Sequence, residues 1–296
     1  MRSLFNRITP LEPIPTHTEA NCNFAPGMKC ILFDVYGTLL ISTSGDIGST
    51  ELKGETALKS LKECGFEITS TCPENELGKI IVAEYEEGII QVHDQSREKG
   101  VPYPEVDIEK IWQDVVRELQ DQDLIISPKE ADFKKLSVTF EFYNNPVYPM
   151  PNMAKVLNDL HDKKMKLGII SNAQFFTPML LKNFLNADVI NDDLPLFDQN
   201  LLVYSFAIGR AKPDVYLYEL MAKNLAQYNI TPSECLYIGN DMLNDIYPAS
   251  KVGFKTVLYA GDTRSLRLRK NHDKCAELIP DFTITDLSQI NSIITG

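Results

Sequence analysis

Cys30-Ile31-Leu32-Phe33-Asp34-Val35-Tyr36-Gly37-Thr38 joins an unbroken apolar run to an acid and a glycine-bearing turn. A short apolar run bounded by a turn reads as a strand buried on both faces, the kind found in parallel sheets. Asp34 then stands at the carboxyl end of that strand, where open α/β sheets bind their ligands. Taken alone, an acid ahead of Gly37 and Thr38 is equally an Asx turn closing a strand. The rest of the chain decides between the two.

Downstream of Pro149 and Pro151, helix and strand alternate. Met153 to His161 reads as a helix, Leu167 to Ile170 as a strand, and Met179 to Phe184 as a helix. Leu201 to Tyr204 is a strand, Val215 to Leu225 a helix, Leu236 to Ile238 a strand, Ile246 to Val252 a helix and Thr256 to Tyr259 a strand. That alternation predicts an α/β fold, a doubly wound, Rossmann-like parallel sheet with helices on both faces.

Between the first strand and this region lies a different pattern. Ala57, Leu58 and Leu61 fall at helical spacing, as do Leu77, Ile80, Ile81 and Tyr85. Ile111, Trp112, Val115, Val116 and Leu119 form a third stripe, and Phe133, Leu136, Phe140 and Tyr143 a fourth. The spacing predicts an all-helical insertion over residues 45–148, interrupting a core made of residues 28–44 and 149–296. Residues 1–27, with Pro10, Pro13, Pro15 and Pro26, read as an extended arm, mobile or laid over the surface.

Charge supports the division. The chain carries 29 Lys and Arg against 41 Asp and Glu, a net charge of −12, and residues 45–148 hold 22 of the acids but 11 of the bases. Such an acidic chain lacks the field that nucleic acids or anionic membranes attract, and neither is expected as a partner. No apolar run is long enough for a membrane span and no signal peptide is legible. The six cysteines lack metal-ligand spacing. They read as free thiols of a cytoplasmic protein.

Four strand ends carry polar residues: Asp34 to Thr38, Ser171-Asn172, the stretch Gly209-Arg210-Ala211-Lys212-Pro213, and Gly239-Asn240-Asp241-Met242-Leu243-Asn244-Asp245. One rim thus gathers a carboxylate able to act as a nucleophile, a lysine to offset negative charge, and a hydroxyl suited to an anionic oxygen. It also gathers acids able to hold Mg²⁺. The blander readings are an N-cap for Ser171, a solvated lysine for Lys212, and cap and first-turn acids for Asp241 and Asp245. Arg264, Arg267, Arg269 and Lys270 read as a solvated face or a partner contact. None of the four histidines lies on a motif.

This order resembles the haloacid dehalogenase superfamily from about Lys29 to Tyr259. Motif one is Asp34 to Thr38, motif two Ser171, motif three the lysine of Lys212-Pro213-Asp214, and motif four the acidic loop Gly239 to Asp245. The resemblance implies that residues 45–148 are the helical cap inserted between motifs one and two. It implies Asp34 as covalent nucleophile, with Tyr36 and Lys212 in the catalytic set, and a small anionic substrate bound by Gly37, Thr38, Ser171 and Asn172. It also implies Mg²⁺ on Asp34, the Tyr36 backbone, Asp241 and Asp245.

Two departures split the expected chemistry. The family's phosphatases carry a second Asp two residues after the nucleophile, as general acid and then base; here that residue is Tyr36, as in the family's 2-haloacid dehalogenases. Loss of a general acid costs about 10²–10⁴-fold in rate. Yet the dehalogenases use an Arg soon after motif one, and Leu39 to Leu61 contains none. Asp34, Asp241 and Asp245 would crowd together with Lys212 as their balance, which favours a bound cation. Three readings stay open: a Mg²⁺-assisted phosphatase-like hydrolase, suited with Tyr36 to a good leaving group such as an acyl phosphate; a metal-free 2-haloacid dehalogenase; and an attenuated ligand- or partner-binding relative. Substrate and oligomeric state are not legible.

Overall fold

The computed structural model describes residues 10–43, 52–185 and 196–295. Most of the turn predicted for Ser42 to Ser49 lies outside them. The chain divides into two compact units, Met1–Ile47 with Val147–Gly296, and Gly48–Pro146.

The first unit is built on a six-stranded, all-parallel sheet. Its strands are β1 (Cys30–Phe33), β6 (Lys166–Ser171), β7 (Leu202–Tyr204), β8 (Cys235–Gly239), β9 (Lys255–Tyr259) and β10 (Phe282–Ile284), in the order β10-β9-β8-β1-β6-β7. The apolar run at Cys30 to Phe33 is fully buried and lies between β6 and β8, with Phe33 opposite both Ile169 and Ile238. A central parallel strand needs both faces covered, which is why the run does not alternate. The predicted doubly wound sheet is therefore present.

Helices α5 (Met153–Asp162), α6 (Thr177–Phe184), α7 (Ser205–Ile208), α8 (Tyr216–Ala226), α9 (Tyr247–Val252) and α10 (Ile290–Thr295) complete this unit. The predicted helix from Ile246 is preceded by a single π-helical turn, Met242–Ile246. β2 (Leu40–Ser42) pairs antiparallel with β5 (Val147–Pro149), joining the two segments by which the chain leaves and re-enters the sheet domain. Nothing in three-residue runs announces such a pair, and neither β10 nor α10 was expected.

The arm is laid down rather than mobile over its described part. Ile14 N donates to Asp262 Oδ1 at 3.1 Å, Thr16 Oγ1 to the Ala260 carbonyl at 2.5 Å, and Asn21 exchanges backbone bonds with Thr283 at 2.7 and 3.0 Å. These partners sit beside the edge strand β10, so the arm covers backbone that would otherwise stay open to pairing.

The second unit holds α1 (Gly54–Glu63), α2 (Glu74–Glu98), α3 (Ile108–Asp121) and α4 (Phe133–Asn144). It is not all helical: β3 (Glu67–Ile68) and β4 (Ile125–Ile126) form a short antiparallel pair. Asp107 and Asp132 cap α3 and α4 by accepting from Glu109 N and Lys135 N. The core centres on Trp112, fully buried, with ring centroids 5.0 Å from Tyr85 and 4.9 Å from Phe140. No described helix is long and apolar enough to cross a membrane, and all six cysteines are unpaired.

α1 and α2 meet glycine on glycine. A Cβ on Gly54 would lie 2.4 Å from the Gly78 carbonyl carbon, and one on Gly78 would lie 2.8 Å from that of Gly54. Gly78→Val is therefore expected to lower stability by about 2 kcal/mol or more, read from the urea midpoint; an unchanged midpoint would show that the helices separate freely. Burial pushes Glu141 of α4 from 4.5 up to about 7, with the Asn145 amide pulling the other way. Its folded pKa lies above the unfolded one, so the native state binds the proton more tightly. Stability from this group falls as pH rises from about 4.5 to about 7 and is level above. Glu141→Gln should flatten that fall in urea titrations across the window; an unaltered pH profile would contradict it.

Candidate active site

The carboxyl ends of β1, β6 and β8 bring their polar residues together. Lys212, whose side chain is 4% exposed, places Nζ 2.7 Å from Asp34 Oδ1 and 2.6 Å from Asp245 Oδ1. Ser171 Oγ donates to the same Asp34 oxygen at 2.9 Å. Lys212 is carried by the segment between α7 and α8. Asn172 steers that segment: its Oδ1 accepts from Lys212 N at 2.6 Å and its Nδ2 donates to the Lys212 carbonyl at 3.4 Å.

Burial and charge oppose each other here. Burial raises the Asp34 carboxyl above its ordinary value, with Lys212 and Ser171 offsetting part of the effect. Burial pushes Asp245 up to about 6 against the pull of Lys212, helped by the neighbouring charges of Asp34 and Asp241. Burial disfavours the Lys212 ammonium, but Asp245 and Asp34 outweigh it and hold its pKa above the usual lysine value. The lysine is thus the charged partner in the cluster, and one ammonium shared by two carboxylates keeps at least one of them ionised.

Motif four is shaped from within. Asp241 caps the π-turn, its Oδ1 accepting from Leu243 N at 2.8 Å and Asn244 N at 3.3 Å. Asp245 Oδ2 accepts from Asp241 N at 2.9 Å. A Cβ on Gly239 would stand 2.3 Å from the Asp245 carboxyl carbon, so only glycine leaves room for that acid. The Tyr237 hydroxyl is 2.9 Å from Asp245 Oδ1 and 3.0 Å from the Ile170 carbonyl, and it lies 3.4 Å from Lys212 Nζ as an acceptor.

The remaining predicted residues are positioned by neighbours. Tyr36 is buried, and its hydroxyl is 2.8 Å from Thr177 Oγ1 at the start of α6. Thr38 donates to Asn240 Oδ1 at 3.1 Å, and Asn240 donates to the Ser265 carbonyl at 2.7 Å. Gly37 has φ +83°, and a Cβ there would meet Ser265 and Asn240 at 2.7 and 2.8 Å. Asp34, Tyr36, Asn172, Lys212, Asp241 and Asp245 help to wall a cavity of about 20 Å³, room for about one water molecule.

Sequence reasoning missed two participants. Tyr237 reads as one more apolar position of a buried strand. Arg269, read with its neighbours as a solvated face, reaches Asp241: Nη2 lies 2.6 Å from Oδ2, and Nε lies 3.2 Å from each oxygen. The crowding of acids against Lys212 alone, which argued for a bound cation, is relieved by this second positive charge.

The donor chemistry of Asp34, Asp241 and Asp245 is the hard-oxygen type that Mg²⁺ takes. Their oxygens are already engaged, however: Asp241 by Arg269 and two backbone N–H groups, Asp245 by Lys212, Tyr237 and Asp241 N. Among the described residues, no three His, Cys, Asp or Glu are so arranged as to hold a metal ion. In this arrangement the set does not fit Mg²⁺.

The sheet, the strand-end acid, the hydroxyl and the shared lysine define a hydrolase class. The chain belongs to the haloacid dehalogenase-like hydrolases, whose family it matches over residues 28–253. It is 24% identical over 271 residues to a glyceraldehyde 3-phosphate phosphatase of Methanocaldococcus jannaschii, covering 90% of this chain and 97% of that protein. It is 23% identical over 241 residues to the rhythmically expressed gene 2 protein of Drosophila melanogaster, covering 78% and 82% of the two chains. The crystal structure of a HAD phosphatase from Thermococcus onnurineus superposes with a TM-score of 0.47 at 18% identity, covering 89% of this chain and 96% of that one.

Asn172, expected to bind substrate, lines the cavity and also holds the Lys212 main chain through both ends of its amide. Asn172→Ala leaves a buried N–H unpaired and should cost about 1–3 kcal/mol. Asn172→Asp keeps the acceptor and should cost less. Equal urea midpoints for the wild type and the alanine variant would show that this bond holds nothing in place.

Proposed function

We propose that this protein hydrolyses a small phosphorylated metabolite through a covalent intermediate on Asp34, with a substrate whose leaving group departs without a strong acid, such as an acyl phosphate. The observation that carries this reading is the anchored Asp34 carboxylate: Lys212 and Ser171 hold one oxygen at 2.7 and 2.9 Å at the end of the central strand. A carboxylate fixed this way has its trajectory set before the substrate arrives.

Asp34 attacks phosphorus, and the bond from phosphorus to the leaving oxygen breaks, its electron pair departing with the carboxylate product. Water then attacks the aspartyl phosphate, phosphate departs with the water oxygen, and Asp34 is regenerated. Lys212 and Ser171 offset the charge that gathers on the transferred group. Tyr36 stands where phosphatases of the family carry a carboxylic acid, and a phenol hydroxyl is a poorer proton donor than a carboxylic acid. That favours substrates that need no proton on the leaving group. The expected Mg²⁺ on Asp34, the Tyr36 backbone, Asp241 and Asp245 enters this reading only at the expense of the Arg269 contact.

The named activity of the archaeal relative supports a phosphorylated substrate. Tyr36 and the Arg269 pairing favour a second reading, metal-free hydrolysis of a 2-haloacid, in which Asp34 attacks carbon and halide leaves unprotonated. Acetyl phosphate turnover, with Asp34→Asn slower by about 10³-fold or more, and a rate that falls steeply as leaving-group pKa rises, is the expected outcome. Phosphate release that survives Asp34→Asn, or equal rates on alkyl and acyl phosphates, would contradict the first reading. Asp34-dependent chloride release from 2-chloropropionate, insensitive to EDTA, would establish the second.

A further inference from the structure

Two buried hydroxyls meet beside the cavity. Tyr36 is 4% exposed and Thr177 is wholly buried, and Tyr36 Oη lies 2.8 Å from Thr177 Oγ1. Each side chain reaches this contact from a backbone that is held on its own account. In motif one, Gly37 N donates to the Leu40 carbonyl at 2.7 Å and Leu39 N to that of Val35 at 2.8 Å, closing the turn that carries Tyr36. On the other side, Ala173 N donates to Ser205 Oγ at 2.8 Å, and the Ser205 hydroxyl returns a bond to the Ala173 carbonyl at 3.1 Å. Thr177 N donates to the Gln174 carbonyl at 2.9 Å. The loop after β6 is thereby fixed, and Thr177 opens α6 at a set position.

Which hydroxyl donates follows from what each can reach. Among the described residues, Tyr36 Oη is the one acceptor within hydrogen-bonding distance of Thr177 Oγ1. Were the phenol to donate, the Thr177 proton would be buried without an acceptor, and an unmet buried donor costs more than one ordinary bond contributes. Thr177 therefore donates, and the Tyr36 oxygen accepts through a lone pair. The tyrosine's own proton is then directed away from Thr177. Tyr36 walls the cavity together with Asp34 and Lys212. A hydroxyl that accepts one hydrogen bond also donates a stronger one, because linked bonds polarise each other.

We propose that Thr177 is a positioning residue for Tyr36: it turns the phenol proton toward the cavity, where that proton hydrogen-bonds the oxygen leaving phosphorus. The proposal rests on the phosphoryl-transfer reading above and deepens it. As Asp34 bonds to phosphorus, the bond from phosphorus to the leaving oxygen breaks and its electron pair goes to that oxygen. Tyr36 shares its proton with the departing oxygen and keeps it. Such a bond does little for a carboxylate, which carries its charge readily, and more for a more basic oxygen. Thr177, which belongs to none of the four motifs, thus sets how far the range of leaving groups extends beyond acyl phosphates.

The test is kcat/KM on acetyl, p-nitrophenyl and trifluoroethyl phosphate, whose leaving groups grow more basic in that order. Thr177→Val should lose about twofold on acetyl phosphate and about tenfold on trifluoroethyl phosphate, the factor that one hydrogen bond supplies. Tyr36→Phe should lose at least as much, and adding Thr177→Val to Tyr36→Phe should take away nothing further. Thr177→Ser, which keeps the hydroxyl, should restore the wild-type dependence on leaving group. Thr177→Ala carries the same test if the valine variant does not fold. An equal loss on all three substrates, the mark of a purely structural role, would overturn the proposal. So would an added loss in the double variant, or a serine variant as impaired as the valine one. Wild-type protein that releases no Asp34-dependent phosphate from any of the three would instead overturn the phosphoryl-transfer reading, and this proposal with it.

Discussion

The contact of the Lys212 ammonium with both Asp34 and Asp245, at 2.7 and 2.6 Å, governs the rest of the site. Three buried ionisable groups from three separate stretches of chain could not share a low-dielectric interior as unpaired charges. They are stable there as a set. Each surrounding feature can be understood as a consequence: Asn172 fixes the main chain of Lys212, Gly239 makes room for Asp245, Tyr237 supplies a further polar neighbour, and Ser171 completes the bonding of Asp34. The sheet order matters for the same reason. With β1 between β6 and β8, the ends bearing Asp34, Ser171 and motif four are adjacent, and a bond network across them becomes possible.

A shared lysine leaves one acid over, Asp241, and that acid has a cation of its own. Asp241 is neutralised by Arg269, a residue brought in by a backbone bridge from a segment that the N-terminal arm fastens. The arm, a proline-bearing stretch, is thus hydrogen-bonded to the start of the segment that presents this arginine. Ser265 of the same segment packs on Gly37 and Asn240, so the loop supports motif one as well as motif four.

Much of this was legible in the residues. The run Cys30 to Phe33 announces a central parallel strand because burial on both faces removes any polar alternation. Asp34, Ser171, Asp241 and Asp245 are legible because strand ends of an open α/β sheet converge on one rim, and Lys212 because its stretch follows a strand of that sheet. What escaped notice depends on tertiary placement. Tyr237 has the pattern of a core residue, and its hydroxyl acquires meaning only when Asp245 and Lys212 stand beside it. Arg269 belongs to a basic run whose ordinary fate is solvation; the bridge between Asp241 and Arg267 that redirects it has no sequence signature. The bonds from the Asn172 amide to the Lys212 main chain span 40 residues and leave no sequence pattern. The pairs β2 with β5 and β3 with β4 are too short to leave a periodic trace.

The central claim, that the anchored Asp34 carboxylate attacks the substrate and carries the transferred group, is tested most directly by trapping that bond. Wild-type protein mixed with acetyl phosphate, quenched in acid within its first turnovers and digested, should yield the peptide containing Asp34 with one added phosphoryl group by mass spectrometry, and Asp34→Asn should yield none. Turnover of acetyl phosphate with no modified Asp34 peptide at any quench time, or with the phosphoryl group on another residue, would contradict the account.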